Sequence, residues 1–359
     1  MTEFKKPKAR RIVGGVDTHA DTHHAAVVLM NGRRVADREF SATRAGYADL
    51  LEWMRSFGRL QAVGVEGTGS YGAALARHLS DAEVKVVEVN RPDRQQRRAK
   101  GKSDPLDSYS AAEAVLADRA RAVPKSGNGL AESIRVLHLI RAGAVKARTA
   151  CLNELQALLV TAPAELREQL GGLKKARLAD ACSRLRPSAD LADPAQSVKV
   201  ALRHLAGRYR ALSAEIDATY DQLKTLVEQA RPELPAIKGV GVETAAQLPV
   251  TCGDNPERLS SEGSFAALCG VSPVPASSGR TRRHRLNHGG DRQANRALYV
   301  VVLSRMSCGP PTRAYVERGT AEGLSKREII RCLKRYVARQ LYKVIVRPQA
   351  PAAESPVLS

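Results

Sequence analysis

Three short apolar runs open the chain: Ile12 to Val16, which ends on Asp17, then Ala25 to Met30, then Val35 to Phe40. Asn31-Gly32 separates the last two, and a two-residue turn of this kind needs backbone angles that Asn and Gly tolerate, so the pattern predicts three antiparallel strands. From Ala45 to Met54 the period changes, with Tyr47, Leu50, Leu51 and Met54 at helical spacing. A strand from Ala62 to Val65 ending on Glu66, a helix from about Ser70 to Leu79, and a strand from Val84 to Val89 follow.

Further on the helical period dominates. Ile134, Leu137, Ile140, Val145, Leu152, Leu155 and Leu159 mark one long amphipathic helix from Leu130 to Leu159, with no internal proline. A second runs from about Val198 to Glu228, and the stretch between them, with Pro163, Gly171-Gly172, Pro187 and Pro194, reads as turn-rich. Two long helices that return on one another suggest an antiparallel coiled-coil arm. Leu234 to Ala246 then places a Gly-Val-Gly turn before another helix. This is either a helix-hairpin-helix, whose amides can hold a nucleic-acid phosphate, or an ordinary helical turn.

The order βββαβαβ in the first part is that of a ribonuclease-H-like α/β fold. In such a sheet the first and fourth strands lie side by side, so Asp17 and Glu66 at their ends face one another. Lys102 to Tyr109 brings two more carboxylates, Asp104 and Asp107, together as a helix begins. One reading makes them a helix start, with Asp104 at the N-cap, Pro105 at the first helical position and Asp107 where its charge favours the amide-rich end. The other gives them a shared divalent cation, because residues three apart lie on one helix face. A helix entering after the fifth strand adds both to the edge that carries Asp17 and Glu66. Four carboxylates so close repel by on the order of several kcal/mol at an intermediate dielectric, so they make sense around a cation. Oxygen ligands suggest magnesium or manganese.

Two other patterns compete for attention. Gly67-Thr68-Gly69-Ser70-Tyr71-Gly72 matches the GxGxxG of dinucleotide-binding folds, with Glu88 at about the expected distance, and leaves an oxidoreductase as an alternative. Against it, three strands precede the motif, and a nucleotide site leaves Asp17 and Asp104 unexplained; a tight turn that presents Glu66 and admits a phosphate backbone is preferred. His19, His23 and His24 lack a second His or Cys cluster and are expected in solvent or core rather than on a metal.

Charge settles the kind of partner. Lys and Arg total 57 against 37 Asp and Glu, a formal net charge of +20. That implies a polyanion, and nucleic acid rather than membrane, since no long apolar span or lipidation signal is present. The basic start Lys5 to Arg11 is read as a tail touching phosphate, and no secretory segment follows it. Arg94, Arg97, Arg98, Lys100 and Lys102 form a cationic arm directly before the two aspartates, while Lys238 and Arg280, Arg282, Arg283 and Arg285 are further candidates for phosphate contact. The six cysteines show no CxxC pairing and read as buried thiols in a reducing cytoplasm. Gly270 to Arg280 carries Ser277 and Ser278 beside glycine and among guanidinium groups. That makes a candidate nucleophile toward a phosphodiester, or simply a surface loop.

The ordered set Gly15-Val16-Asp17-Thr18-His19, Val65-Glu66-Gly67-Thr68-Gly69-Ser70-Tyr71, Lys102-Ser103-Asp104-Pro105-Leu106-Asp107 and Ser277-Ser278-Gly279-Arg280 closely resembles the DEDD-type insertion-sequence transposases related to Piv-type invertases, the insertion-sequence one-hundred-and-ten group. The match covers about residues 10 to 345. It implies a RuvC-like nuclease domain over 1–125, a long-helix coiled-coil region over 126–230, a mainly helical transposase domain with the serine loop over 231–345, and a disordered tail over 346–359. It also implies that Asp17, Glu66, Asp104 and Asp107 bind the metal, and that Ser278, with Ser277 as alternate, is the nucleophile of a site-specific recombinase. The implied partners are donor and target double-stranded DNA and a structured non-coding guide, the bridge RNA, in a homo-oligomer, dimer or tetramer, at the nucleoid of a bacterial cytoplasm. A junction-resolving nuclease that uses water is the alternative on the same fold. One departure stands out: family members often follow the serine-glycine pair with a second glycine and a lysine, whereas Arg280-Thr281-Arg282 follows here, which keeps a cation and loses backbone freedom.

Overall fold

The computed structural model describes residues 10–89, 103–277 and 284–346. Two compact units divide the chain, Met1–Asn128 with Gly253–Arg258, and Gly129–Cys252 with Leu259–Ser359.

The first unit is built on a mixed sheet. Strands β1 (Arg11–Thr18), β2 (Thr22–Leu29) and β3 (Arg34–Ser41) form an antiparallel meander. Helix α1 (Arg44–Ser56) leads to β4 (Arg59–Glu66), and α2 (Ala73–Asp81) to β5 (Val86–Val89). The strand order is β3-β2-β1-β4-β5, with β4 parallel to both β1 and β5, as expected of a ribonuclease-H-like sheet. Because β1 is covered on both faces, it reads as a continuous apolar run with no alternation. One face carries Ile12, Val16, Leu50, Met54 and Leu75. The other carries Val13, Ala26 and Val28 against Tyr109 and Ala112 of α3 (Asp104–Leu116).

Gly15 lets α3 come this close. A Cβ there would stand 2.1 Å from the Ser108 carbonyl oxygen and 2.3 Å from the Ala112 nitrogen. Gly64 on β4 has the same role, with Ala111 O at 2.8 Å from the position of its absent Cβ. The helix therefore rests backbone to backbone on the two central strands. Helix α2 begins at Ala73 rather than Ser70, because residues 67–72 close a turn in which the Ser70 and Gly72 amides both donate to the Gly67 carbonyl (2.8 and 3.0 Å).

In the second unit α4 (Leu130–Val160) and α7 (Pro194–Ala230) run antiparallel. Arg141 lies over Tyr220, Arg148 donates to Ser213, and the Cys151 thiol meets the Leu205 carbonyl, a register that falls in one helix as it rises in the other. The stretch between them, expected to be turns, contains two short helices, α5 (Ala164–Leu170) and α6 (Ala176–Ser183). Pro163, Gly171 and Pro194 sit at helix ends, and Leu166, Leu170 and Leu178 bury against Leu155, Leu159 and Leu202. The rest is helical apart from one small ribbon. It comprises α8 (Glu233–Ala236), α9 (Val242–Cys252), α10 (Glu262–Leu268), β6 (Val274–Pro275) paired with β7 (His284–Arg285), α11 (Arg292–Cys308), α12 (Pro310–Ala321) and α13 (Lys326–Ile345). Phe265, Leu298, Val301 and Leu341 lie in its core. Among the described residues no helix is long and apolar enough to cross a membrane.

Residues 253–258 belong with the first unit through side-chain hydrogen bonds. Asn255 donates to the Pro124 carbonyl (3.0 Å) and accepts from the Ser126 amide (3.1 Å), and Arg258 donates to the Val123 carbonyl (3.1 Å). The cysteines depart from expectation in part. Four are buried, and burial pushes the Cys182 thiol up to about 11, but Cys308 and Cys332 lie on helix faces turned to solvent. Gly143 and Gly207 sit inside α4 and α7, where a Cβ would meet nothing. Gly143→Ala and Gly207→Ala are each expected to stabilise the second unit by about 0.5–1 kcal/mol, read as a higher melting temperature in calorimetry.

Candidate active site at the ends of the central strands

The parallel pairing of Val16 with Val65 sets Asp17 beside Glu66. Side chains alternate along a strand, and Gly15 and Gly64 both face α3, so Asp17 and Glu66, two residues on, face it as well. Thr18 fixes the two strand ends together by donating its hydroxyl to the Glu66 carbonyl (3.0 Å). Helix α3 approaches with its N-terminus, and its first turn carries Asp104 and Asp107. Asp17, Glu66 and Asp107 are buried, while the Asp104 side chain is 43% exposed. The amide-rich end of α3 favours negative charge at this edge.

The expected start of α3 changes here. The N-cap of α3 is Ser103, which has extended backbone angles, and the Asp107 amide donates to its carbonyl (3.0 Å). The helix thus starts one residue before the expected position, and Asp104 turns its carboxylate elsewhere instead of capping. It meets His19. That histidine, expected in solvent or core, places Nε2 at 3.1 Å from Asp17 Oδ2 and 3.5 Å from Asp104 Oδ1. The signal lay in the period of the strand, since position 19 continues the face on which 17 stands.

One donor atom from each of Asp17, His19 and Asp104 lies within 4.8 Å of the others. A cation bound at about 2.0–2.3 Å to each donor needs donors roughly 4–4.6 Å apart or closer, so the spacing fits after small side-chain rotations. Two carboxylates and one imidazole are donors that suit a divalent cation.

A polar network flanks the site. His24 pairs in register with Asp17 across β1 and β2, and its Nε2 lies 2.8 Å from Asp37 Oδ2. Asp37 also accepts from the Tyr109 hydroxyl (3.0 Å), and Arg34, stacked 4.6 Å above the Tyr109 ring, pairs with Glu113 at 2.8 Å. Burial first, and then the hydrogen bond to Asp37, pushes the Tyr109 hydroxyl up to about 12. The group is held protonated above its ordinary value of 10.0, so its stabilising contribution is complete below pH 10 and is lost as pH rises toward 12. Tyr109→Phe is expected to flatten the loss of stability over that window in urea melts taken at successive pH values. His23, by contrast, is a core histidine. It is buried, stacks on Tyr47 at 5.5 Å, and burial holds its pKa below the ordinary value.

Ser278 and the cations Arg94, Arg97, Arg98, Lys100, Lys102, Arg280, Arg282 and Arg283 lie outside the described residues. Ser277 is exposed at the end of a described segment, and Arg285 is exposed on β7. Lys238 is exposed and donates its ammonium to the Cys308 carbonyl (2.8 Å). The GxGxxG segment joins β4 to α2 within a β4-α2-β5 unit, and a three-strand antiparallel meander precedes that unit.

Sheet order and acidic edge together place the first unit in the ribonuclease-H-like class. A family model described as a transposase, of the DEDD IS110 type, matches residues 14–162, and a second, described as the transposase IS116/IS110/IS902 family, matches residues 232–317. Over 137 residues the chain is 31% identical to the insertion element IS110 uncharacterized 43.6 kDa protein of Streptomyces coelicolor, which covers 38% of this chain and 32% of that protein. The aligned part thus spans about a third of the relative's length. The chain belongs to the IS110 family of transposases.

Proposed function

We propose that this protein is a transposase that cuts and rejoins DNA by site-specific recombination, with a RuvC-like acidic site and a serine nucleophile. The cluster of Asp17, His19 and Asp104, with Glu66 at the neighbouring strand end and Asp107 in the same first turn of α3, carries the reading. Asp17, Glu66, Asp104 and Asp107 would hold a divalent cation, magnesium or manganese, which supplies positive charge to a scissile phosphate when bound. His19 orients Asp17 and offers a further donor to the same site. Asp17 and Glu66 are fixed by strand pairing and Asp104 and Asp107 by one helix turn, so the site needs little reorganisation to receive a phosphate.

In this reading the Ser278 hydroxyl attacks phosphorus and loses its proton. A serine–phosphorus bond forms, the phosphorus–oxygen bond to one sugar breaks, and that sugar hydroxyl leaves with a proton. Strand exchange reverses the same step with a new sugar hydroxyl, so the phosphodiester is restored without an external energy source. The formal charge of +20 suits double-stranded DNA as donor and target, and a structured guide RNA as a further partner. The antiparallel pair α4 and α7 serves as a coiled-coil arm between copies of the chain, in a dimer or tetramer.

The test is covalent trapping. Incubated with a DNA fragment carrying the element's junction and Mg²⁺, the full chain is expected to yield a denaturation-resistant protein–DNA adduct. Ser278→Ala is expected to abolish it, with Ser277→Ala as the neighbouring control. Full recombination by the double variant would sink the serine mechanism, and cleavage without any adduct would point to water as the nucleophile.

A further inference from the structure

A cavity of about 420 Å³ opens in the second unit, between residues 270–273 and β7 on one side and α12 and α13 on the other. It contains none of the acidic residues above. Five cations line it: Arg285, Arg331, Lys334, Arg335 and Arg339, against one lining carboxylate, Glu328. Arg335 and Arg339 are tied back to Glu262, and Arg331 lies 3.8 Å from Glu328. Even with both carboxylates counted, positive charge prevails.

Lys334 gives that excess a direction. It is 7% exposed, and among the described residues its ammonium has one hydrogen-bond partner, the Asn295 side-chain oxygen at 2.8 Å. Asn295 cannot turn away, because its amide donates to the Cys269 and Gly270 carbonyls (2.9 and 3.0 Å). An ammonium has three donors, so two remain for an acceptor in the cavity. Burial first, and then the neighbouring Arg331 charge, pulls the Lys334 pKa down, and a bound anion would offset both.

The cavity also presents an aromatic surface. Tyr336 is 52% exposed, and Tyr315 meets it edge-on at 5.7 Å. Burial, and then the neighbouring Cys332, pushes the Tyr315 hydroxyl up to about 12, so it stays a neutral donor beside an anion. The volume falls within the roughly 300–1,000 Å³ of small-ligand clefts. An anion recognised by a buried ammonium and neighbouring guanidinium groups beside a ring that can stack is a nucleotide, and a base paired in a duplex has no free face to offer.

We propose that this cavity takes one unstacked nucleotide of a single-stranded nucleic acid, with its base on the Tyr336 ring and its phosphate toward Lys334, Arg331 and Arg285. The inference rests on the nucleic-acid reading given above and is independent of the chemistry at the acidic edge. DNA and RNA single strands share the required chemistry, and the assay distinguishes them.

The experiment measures fluorescence anisotropy of labelled oligo(dT), oligo(rU) and a duplex of the same length with the full chain. Tyr336→Ala is expected to weaken single-strand binding about tenfold, the loss of one base–aromatic stack, while Tyr336→Phe binds like the wild type and duplex binding does not change. In the wild type, single strand is also expected to protect Cys332 from alkylation while Cys308, the other exposed thiol, continues to react. Tighter oligo(rU) assigns the cavity to RNA, and tighter oligo(dT) to DNA. Unchanged single-strand affinity in a folded Tyr336→Ala, or alkylation of Cys332 at an unaltered rate, overturns the proposal. A wild type that binds duplex alone removes this inference only, whereas one that binds no nucleic acid removes the nucleic-acid reading with it.

Discussion

Asp17→Asn is expected to lower cation-dependent DNA cleavage about a thousandfold and to leave the melting temperature unchanged or raised. The two halves of this result have one cause. Asp17 is buried, and its strand partner Glu66 and the helix residue Asp107 are buried beside the same edge. An amide of equal shape removes one charge from a cluster whose members repel, so folding gains or stays level. What disappears is the full negative charge that holds a cation, and several kcal/mol of charge stabilisation at the phosphate corresponds to about three powers of ten in rate. Asp104→Ala, at a side chain 43% exposed, is expected to behave alike with still less structural consequence. Single-turnover cleavage and calorimetry on the same preparations decide the matter. Cleavage within about threefold of wild type in Asp17→Asn would remove the acidic edge from the mechanism.

Gly15→Ala is expected to damage the first unit severely for the addition of a single methyl. Its Cβ would stand 2.1 Å from the Ser108 carbonyl oxygen and 2.3 Å from the Ala112 nitrogen, and both atoms belong to helix backbone that no rotamer change can move. Helix α3 has to shift away from β1. Overpacking of this kind costs about 1–3 kcal/mol or more, and here the displaced helix carries Asp104 and Asp107. Stability and cleavage are therefore expected to fall together, unlike in Asp17→Asn, where they separate. Gly172→Ala, where a Cβ meets nothing within 4 Å, is the matched control. Urea titration and a cleavage assay give the comparison, and a Gly15→Ala protein as stable as the control would contradict the close helix-on-strand contact.

The parts of the fold that sequence made legible share a property: their pattern is local and their consequence topological. Apolar runs ending in Asp17 and Glu66, with Asn31-Gly32 between the second and third strands, gave an element order that placed the first and fourth strands side by side, and register then set the two carboxylates together. Helices α5 and α6 escaped because each is about two turns long in a stretch rich in proline and glycine, so only burial against α4 and α7 distinguishes them from turns. The approach of His19 to the helix start was not legible either. Its partner Asp104 lies far along the chain, and no spacing rule connects a hairpin residue to a helix start. The Tyr336 cavity draws on four separate segments, and the burial of Lys334 depends on how they pack together.

The short stretch 253–258 has a consequence for the time course of biosynthesis. Pro124 and Ser126 receive their hydrogen-bond partner, Asn255, only after the whole of α4 through α9 has been made. At about 5–20 residues per second that interval is on the order of ten seconds, during which the five-stranded sheet can form but its last backbone groups stay wet. A fragment cut at residue 128 would remain permanently in that unfinished condition. The nuclease-like unit is first in sequence and yet not first to be complete.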